Sequence, residues 1–185
     1  MPINPSKKGG RNERGIVNLF KKWTNYEFAR TPSSGGLHWK KAHTSGDIVC
    51  IDNLHGTRFP FSIEAKFYHD IEFHYLIDGS IGKKTAKIIH FWDQTVRDAI
   101  TSNRIPLLFF RKNMMKTDMH FVALPTDFFN IWVEKVGKQI LKYGYLIYER
   151  GSYNFVIINS FDLFETDYIE FYKSGRKLLK NEKGN

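Results

Sequence analysis

The chain has 185 residues and a single cysteine, Cys50. One cysteine excludes an internal disulfide and any zinc site built on several thiolates. No stretch approaches the roughly 18 uninterrupted apolar residues that a membrane span needs, so an integral membrane protein is not expected. The N-terminal MPINPSKKGGRNERG is basic and lacks the apolar segment of a secretory signal; a reducing, cytoplasmic setting is the expectation. Acidic residues are also in short supply. Nineteen Asp and Glu stand against 28 Lys and Arg, a net charge of +9, with a pI near 9.5. Such a field favours polyanionic partners, nucleic acid first and an anionic membrane surface second. The basic residues cluster at Lys7-Lys8, Arg11, Arg14, Lys21-Lys22, Lys40-Lys41, Lys83-Lys84, Arg111-Lys112 and Arg176-Lys177, a pattern suited to phosphate contacts from several loops.

What the chain has in quantity is apolar and aromatic side chains. Hydrophobic residues make up 42%, with 16 phenylalanines and 9 tyrosines, enough for one well-packed domain. Residues 1–11 read as a flexible basic arm. Asn12 is placed to cap a helix to about Trp23, whose stripe is Ile16, Leu19, Phe20 and Trp23. Residues 29–47 form a polar loop, long enough to suggest function. DIVCI and RFPFSIEAKFY read as two strands of a hairpin around DNLHGT. A helix is expected from about Thr85 to Ser102, with Ile88, Ile89, Trp92, Val96 and Ile100 buried. IPLLFFRKN and MHFVALP read as strands, then a helix from Thr126, two further strands and a short helix before a basic tail. Buried strands after a helical crossover predict an α/β fold, a mixed sheet with helices on its faces. Cys50 alternates with Ile48 and belongs in the core.

Within FSIEAKFY, residues 61–68, the alternation of a strand sends Phe61, Ile63 and Ala65 to one face and Ser62, Glu64 and Lys66 to the other. A carboxylate and an ammonium side by side form either a surface salt bridge or part of a catalytic site. Asp47 opens the preceding strand, so a hairpin brings it opposite Glu64 and Lys66. Two converging carboxylates offer hard oxygen ligands for Mg²⁺ or Mn²⁺, and a lysine beside them can orient water or neutralise developing charge. Glu13, at the inward edge of the first helix, would add a carboxylate from another direction.

These residues, Glu13 in NERG, Asp47 in SGDIV and Glu64 with Lys66 in IEAK, resemble the PD-(D/E)XK nuclease superfamily. The loop ARTPSSGG narrows the likeness to Holliday junction resolvases of the archaeal type and their phage relatives. The resemblance covers roughly residues 7–125 and implies a restriction-endonuclease-like mixed β-sheet flanked by helices. On that pattern residues 12–125 are the nuclease core; residues 126–185 have no counterpart in it and read as a C-terminal α+β extension for dimerisation or DNA binding. It implies that Glu13, Asp47 and Glu64 serve a Mg²⁺ or Mn²⁺ site, with the Ala65 carbonyl as a further ligand, and that Lys66 serves the nucleophile. Arg30 and Ser33 or Ser34 would contact phosphate near the cut, and Gln94 would support the site; apart from the resemblance, Lys40 and Lys41 suit DNA contacts, and Lys83 and Lys84 read first as solvent-facing and second as a phosphate-contacting loop. The implied product is a nick with a 5′-phosphate, in a four-way DNA junction cut by a homodimer in a bacterial, archaeal or phage-infected cytoplasm. Gly46 stands where the family pattern has proline, and the 69–86 insertion is longer than in minimal resolvases.

Two other functions fit the same residues. One is an endonuclease of this fold that reads a duplex sequence; the other is a DNA-binding module without catalysis. The histidines His38, His43, His69 and His74 supply no clear zinc set. His38, Trp39, Lys40 and Lys41 mix ring and charge as nucleic-acid contacts do, and equally suit a loop packed on the sheet. The aromatic excess after residue 126 reads mainly as core and also suits a subunit interface.

Overall fold

The computed structural model describes residues 5–31, 45–77 and 87–181. Within these residues seven strands form one sheet: β1 (Phe28–Arg30), β2 (Ile48–Cys50), β3 (Phe61–Tyr68), β4 (Ile105–Lys112), β5 (Phe121–Pro125), β6 (Tyr145–Arg150) and β7 (Tyr153–Asn159), in the order β1-β2-β3-β4-β5-β7-β6. Only β3 and β4 run parallel; every other neighbour is antiparallel. A parallel pair needs a crossover, which helix α2 (Lys87–Thr101) supplies. The expected mixed α/β architecture is therefore the observed one.

The central strands are buried on both faces, so they read as continuous apolar runs. Leu107 and Phe109 of β4 pack toward α1 (Pro5–Thr24), α3 (Thr126–Val136) and α5 (Tyr168–Asn181). Leu108 and Phe110 pack toward Ile88, Ile89 and Trp92 of α2. Strand β7 splits the same way, Val156 and Ile158 to one layer, Phe155 and Ile157 to the other. Strand β3 does not. Phe61 and Ile63 join the α1 layer, whereas Ser62 and Glu64 are buried polar groups on the opposite face. Among the described residues no helix is long and apolar enough to cross a membrane.

Four expectations need correcting. Helix α1 starts at Pro5, so residues 5–11 are helical rather than an arm; Lys8 Nζ anchors this end over the Phe67 ring at 3.9 Å and on Asn113 Oδ1. The polar loop from residue 29 begins with a short edge strand, β1, paired to β2. Ile100 is 72% exposed, and the buried stripe of α2 runs instead through Ile88, Trp92, Thr95 and Ala99. After residue 160 there are two helices, α4 (Ser160–Phe164) and α5. The region after residue 125 shares its core with what precedes it: Phe171 of α5 packs on Phe61 of β3, ring centroids 4.7 Å apart.

Candidate active site

The unusual face of β3 is where the chemistry gathers. Glu64 is only 3% exposed, and a buried carboxylate needs partners. Its Oε1 accepts from Lys66 Nζ at 2.6 Å and from Gln94 Nε2 of α2 at 2.8 Å. The face of β3 that looks polar in the sequence is thus apposed to α2, not to solvent. Lys66 Nζ also lies 6.0 Å from the centre of the Phe91 ring, one turn before Gln94.

Asp47 arrives through backbone pairing. Its N–H donates to the Ile63 carbonyl at 2.8 Å, and Ala65 N–H donates to its Oδ2 at 2.9 Å. Gly46, bridged to Ile63, makes this possible: its φ is +86°, and a Cβ there would lie 2.3 Å from the Ile63 carbonyl oxygen. Glycine alone tolerates both conditions, which explains the absence of proline before the aspartate. The N–H and carbonyl of one strand residue point to the same side, so the Ala65 carbonyl is aimed toward the Asp47 edge of β3.

Burial first, then the negative charge of Asp47, pushes the Glu64 carboxyl up to about 7, against the opposing pull of Lys66. Asp98, one turn after Gln94 on α2, adds to the upward push. For Lys66 burial works against the ammonium, but the Glu64 hydrogen bond and the charges of Glu64 and Asp47 outweigh it and raise its pKa. Lys66 is therefore a firmly charged donor, and the pair of carboxylates carries more negative charge than one lysine neutralises.

That imbalance fits a divalent cation. The donors are hard oxygens, the carboxylates of Asp47 and Glu64 with the Ala65 carbonyl beside them. Mg²⁺ keeps several waters and needs only one or two protein carboxylates. Among the described residues no three His, Cys, Asp or Glu gather into a metal-binding group. Glu13 does not complete the pair: Arg30 Nε donates to its Oε2 at 2.5 Å. Arg30 pairs with Ile48 in the ladder and shares the α1 face with Phe28, whereas Glu64 is on the face toward α2. Glu13 and Arg30 thus stand together across the sheet from Glu64, with Arg30 engaged by a carboxylate. Ser33, Ser34, Lys40, Lys41, Lys83 and Lys84 lie outside the described residues, as do His38, Trp39 and His43.

Three features escape the sequence reading. Ser45 Oγ donates to Ser62 Oγ at 2.7 Å and meets Ser102 Oγ at 2.5 Å, tying the approach to Asp47 to β3 and the end of α2. Asp98 reaches Glu64 electrostatically. Ser62 sits two residues before Glu64 on its face, and Asp98 four after Gln94 on its helix; those two spacings were the available signal. Arg111, counted among the basic clusters, is instead buried and donates to the Thr117 and Met115 carbonyls.

A mixed sheet with helices on both faces, carrying an aspartate at the start of one strand and Glu-x-Lys on its neighbour, defines the class: a nuclease of the PD-(D/E)XK superfamily. The model of the family described as phage putative PDDEXK endonuclease matches residues 4–171, and the chain belongs to that family. No curated protein and no solved structure matches it. Membership makes the chain a nuclease, and nucleases of this superfamily generally use divalent metal ions. The match extends 46 residues past Pro125, where the resemblance in the sequence stopped.

Proposed function

We propose that the chain is a metal-dependent, structure-selective DNA endonuclease that resolves four-way junctions as a homodimer. The observation that carries the catalytic part is the buried Glu64, hydrogen-bonded by Lys66 and Gln94 and facing Asp47. Asp47, Glu64 and the Ala65 carbonyl would hold Mg²⁺ or Mn²⁺, which when bound supplies charge stabilisation at the phosphate and an activated water. Gln94 fixes the Glu64 rotamer, so the carboxylate is oriented before DNA arrives. Lys66 keeps its proton and donates toward the same oxygen, placing a positive charge beside the space where the phosphate is attacked. Glu13 would act at a distance, by holding Arg30 extended from β1. Four-way junctions are favoured by the likeness of ARTPSSGG to the resolvase loop, and a two-fold dimer supplies the two symmetric cuts they need.

The test is nicking of a labelled four-way junction beside a matched linear duplex, in Mg²⁺, in Mn²⁺ and in chelator. Wild type, Asp47→Ala and Glu64→Ala are compared. Paired symmetric cuts in the junction, absent from both variants and from chelator, are expected. Fixed cuts in the duplex would replace the substrate while keeping the chemistry. Salt-sensitive binding with no cut in any metal would leave a binding module.

A further inference from the structure

A groove of about 350 Å³ lies at the end of the sheet where β3 begins, between the last turns of α2 and α5. Its walls carry Arg104, Arg176 and Lys180, with Ser102, Thr57 and Pro60 between them. Among the described residues no carboxylate lines it and none of the three cations makes an ion pair. Arg104 is set in place by the turn that ends α2: Asn103 takes φ +52°, and Arg104 N–H returns to the Ala99 carbonyl at 2.9 Å. Among the described residues its half-buried guanidinium makes only a long contact, 3.4 Å from Nη2 to the Gly56 carbonyl. Burial works against that charge and lowers its pKa.

Arg176 is presented by a close helix approach. A Cβ on Gly175 would meet Phe61 Cζ at 2.7 Å and Pro60 Cγ at 3.1 Å, so glycine lets α5 lie against the start of β3. The two helices both end here, and each C-terminus carries about half a negative charge. Together they offset roughly one of the three cations, leaving a surplus of about two. A surplus of that sign, in a groove of small-ligand size that Phe59 and Leu179 also line, with guanidiniums from two different elements, matches a phosphate group.

We propose that this groove is a phosphate-binding site, separate from the carboxylate pair, that takes a backbone phosphate of nucleic acid or the phosphate of a free nucleotide. Phe61, next to the groove's Pro60, is three residues from Glu64, on the order of 10 Å along the strand. Ser102 lines the groove and also meets Ser45 Oγ, so the groove borders the catalytic face without sharing its ligands. A DNA strand held here would be gripped beside the position where it is cut, a step that rests on the nuclease reading; phosphate capture itself does not.

The experiment is binding in chelator, where no cutting is needed, so failure of the nuclease reading leaves it intact. A labelled duplex of about 20 base pairs and deoxyguanosine monophosphate are the two probes. Wild type is compared with the Arg104→Gln/Arg176→Gln double variant and with the surface variant Lys180→Gln, which tests the groove if the double variant fails to fold. Removing the fork pair should weaken duplex binding roughly tenfold and reduce the slope of affinity against salt by about one. Lys180→Gln should move both in the same direction by less. Loss of nucleotide binding with duplex binding intact would assign the same site to a free nucleotide. Unchanged binding of both probes to a folded double variant, or to Lys180→Gln should the double variant not fold, would overturn the proposal, the cations then serving the helix ends alone.

Discussion

Lys66 is the residue on which the electrostatics of the site turns. Among the described residues it is the only cation hydrogen-bonded to Glu64, whose carboxyl is pushed up to about 7 even with that help. Lys66→Met removes a charge that favours the ionised carboxylate, so the Glu64 titration should climb above about 7. Near neutral pH a smaller fraction would be ionised, weakening divalent-metal binding. Cleavage should fall by at least about 100-fold, the low end for losing a positioned group that stabilises developing charge. Side-chain carboxyl NMR of Glu64 in chelator checks the first part, and nicking across a metal series the second. A Glu64 titration that stays put or moves down would break the link drawn between these two side chains. Gln94 gives an internal control: it is neutral, so Gln94→Leu should disturb Glu64 through a lost hydrogen bond without changing the net charge of the face.

At the scale of elements, the short strand β2 matters most, because it delivers Asp47. Its join to β3 passes through Gly46 at φ +86°. Gly46→Ala should cost about 1–3 kcal/mol, because the added Cβ would meet the Ile63 carbonyl, and should shift Asp47 off Ala65. The readouts are thermal unfolding and metal affinity; a variant with wild-type values in both would show that the glycine at this bridge is dispensable. The strands around this join were legible in the sequence because alternation and apolar runs are local signals: the β3 faces, the β2–β3 pairing and the crossover helix all stand as read. What was not legible depends on partners distant in the chain. Ile100 follows Ile88 by twelve residues, and at about 100° per residue that is about 120° past whole turns, which turns Ile100 to solvent. Strand β1 has three residues, too few for a periodic pattern, so the Glu13–Arg30 pair built on it could not be foreseen. The insertion of β7 beside β5 likewise follows from nonlocal pairing alone.

At the scale of the whole molecule, the buried Glu64 and His120 titrate abnormally in opposite directions between pH 4 and 7, and stability carries both contributions. Glu64 is raised from 4.5 to about 7 by burial and Asp47. His120 is lowered from 6.5 to about 4 by burial and by Arg111; its Nε2 meets Asn12 Oδ1 at 3.0 Å. Between 4.5 and 7 the folded chain keeps a proton on Glu64 that the unfolded chain has released, so this stabilising contribution is full below 4.5 and is lost as pH rises to about 7. Between 6.5 and 4 the unfolded chain protonates its histidine while the folded chain does not, so this contribution is present above 6.5 and is lost as pH falls to about 4. Each shift spans a similar interval, on the order of 3 kcal/mol, and the windows overlap with opposite sign. Wild-type stability in chelator should therefore vary little between those limits. Glu64→Gln should unmask a rise with pH, and His120→Gln a fall with pH, both measured by denaturant unfolding at fixed temperature and salt. Saturating Mg²⁺, which favours ionised Glu64, should make wild type behave like Glu64→Gln, its stability rising with pH. If neither substitution changes the slope, the two side chains are not titrating as their surroundings dictate. A slope that changes for His120→Gln alone, with no effect of Mg²⁺, would separate the buried histidine from the metal site and place the fault in the reading of Glu64.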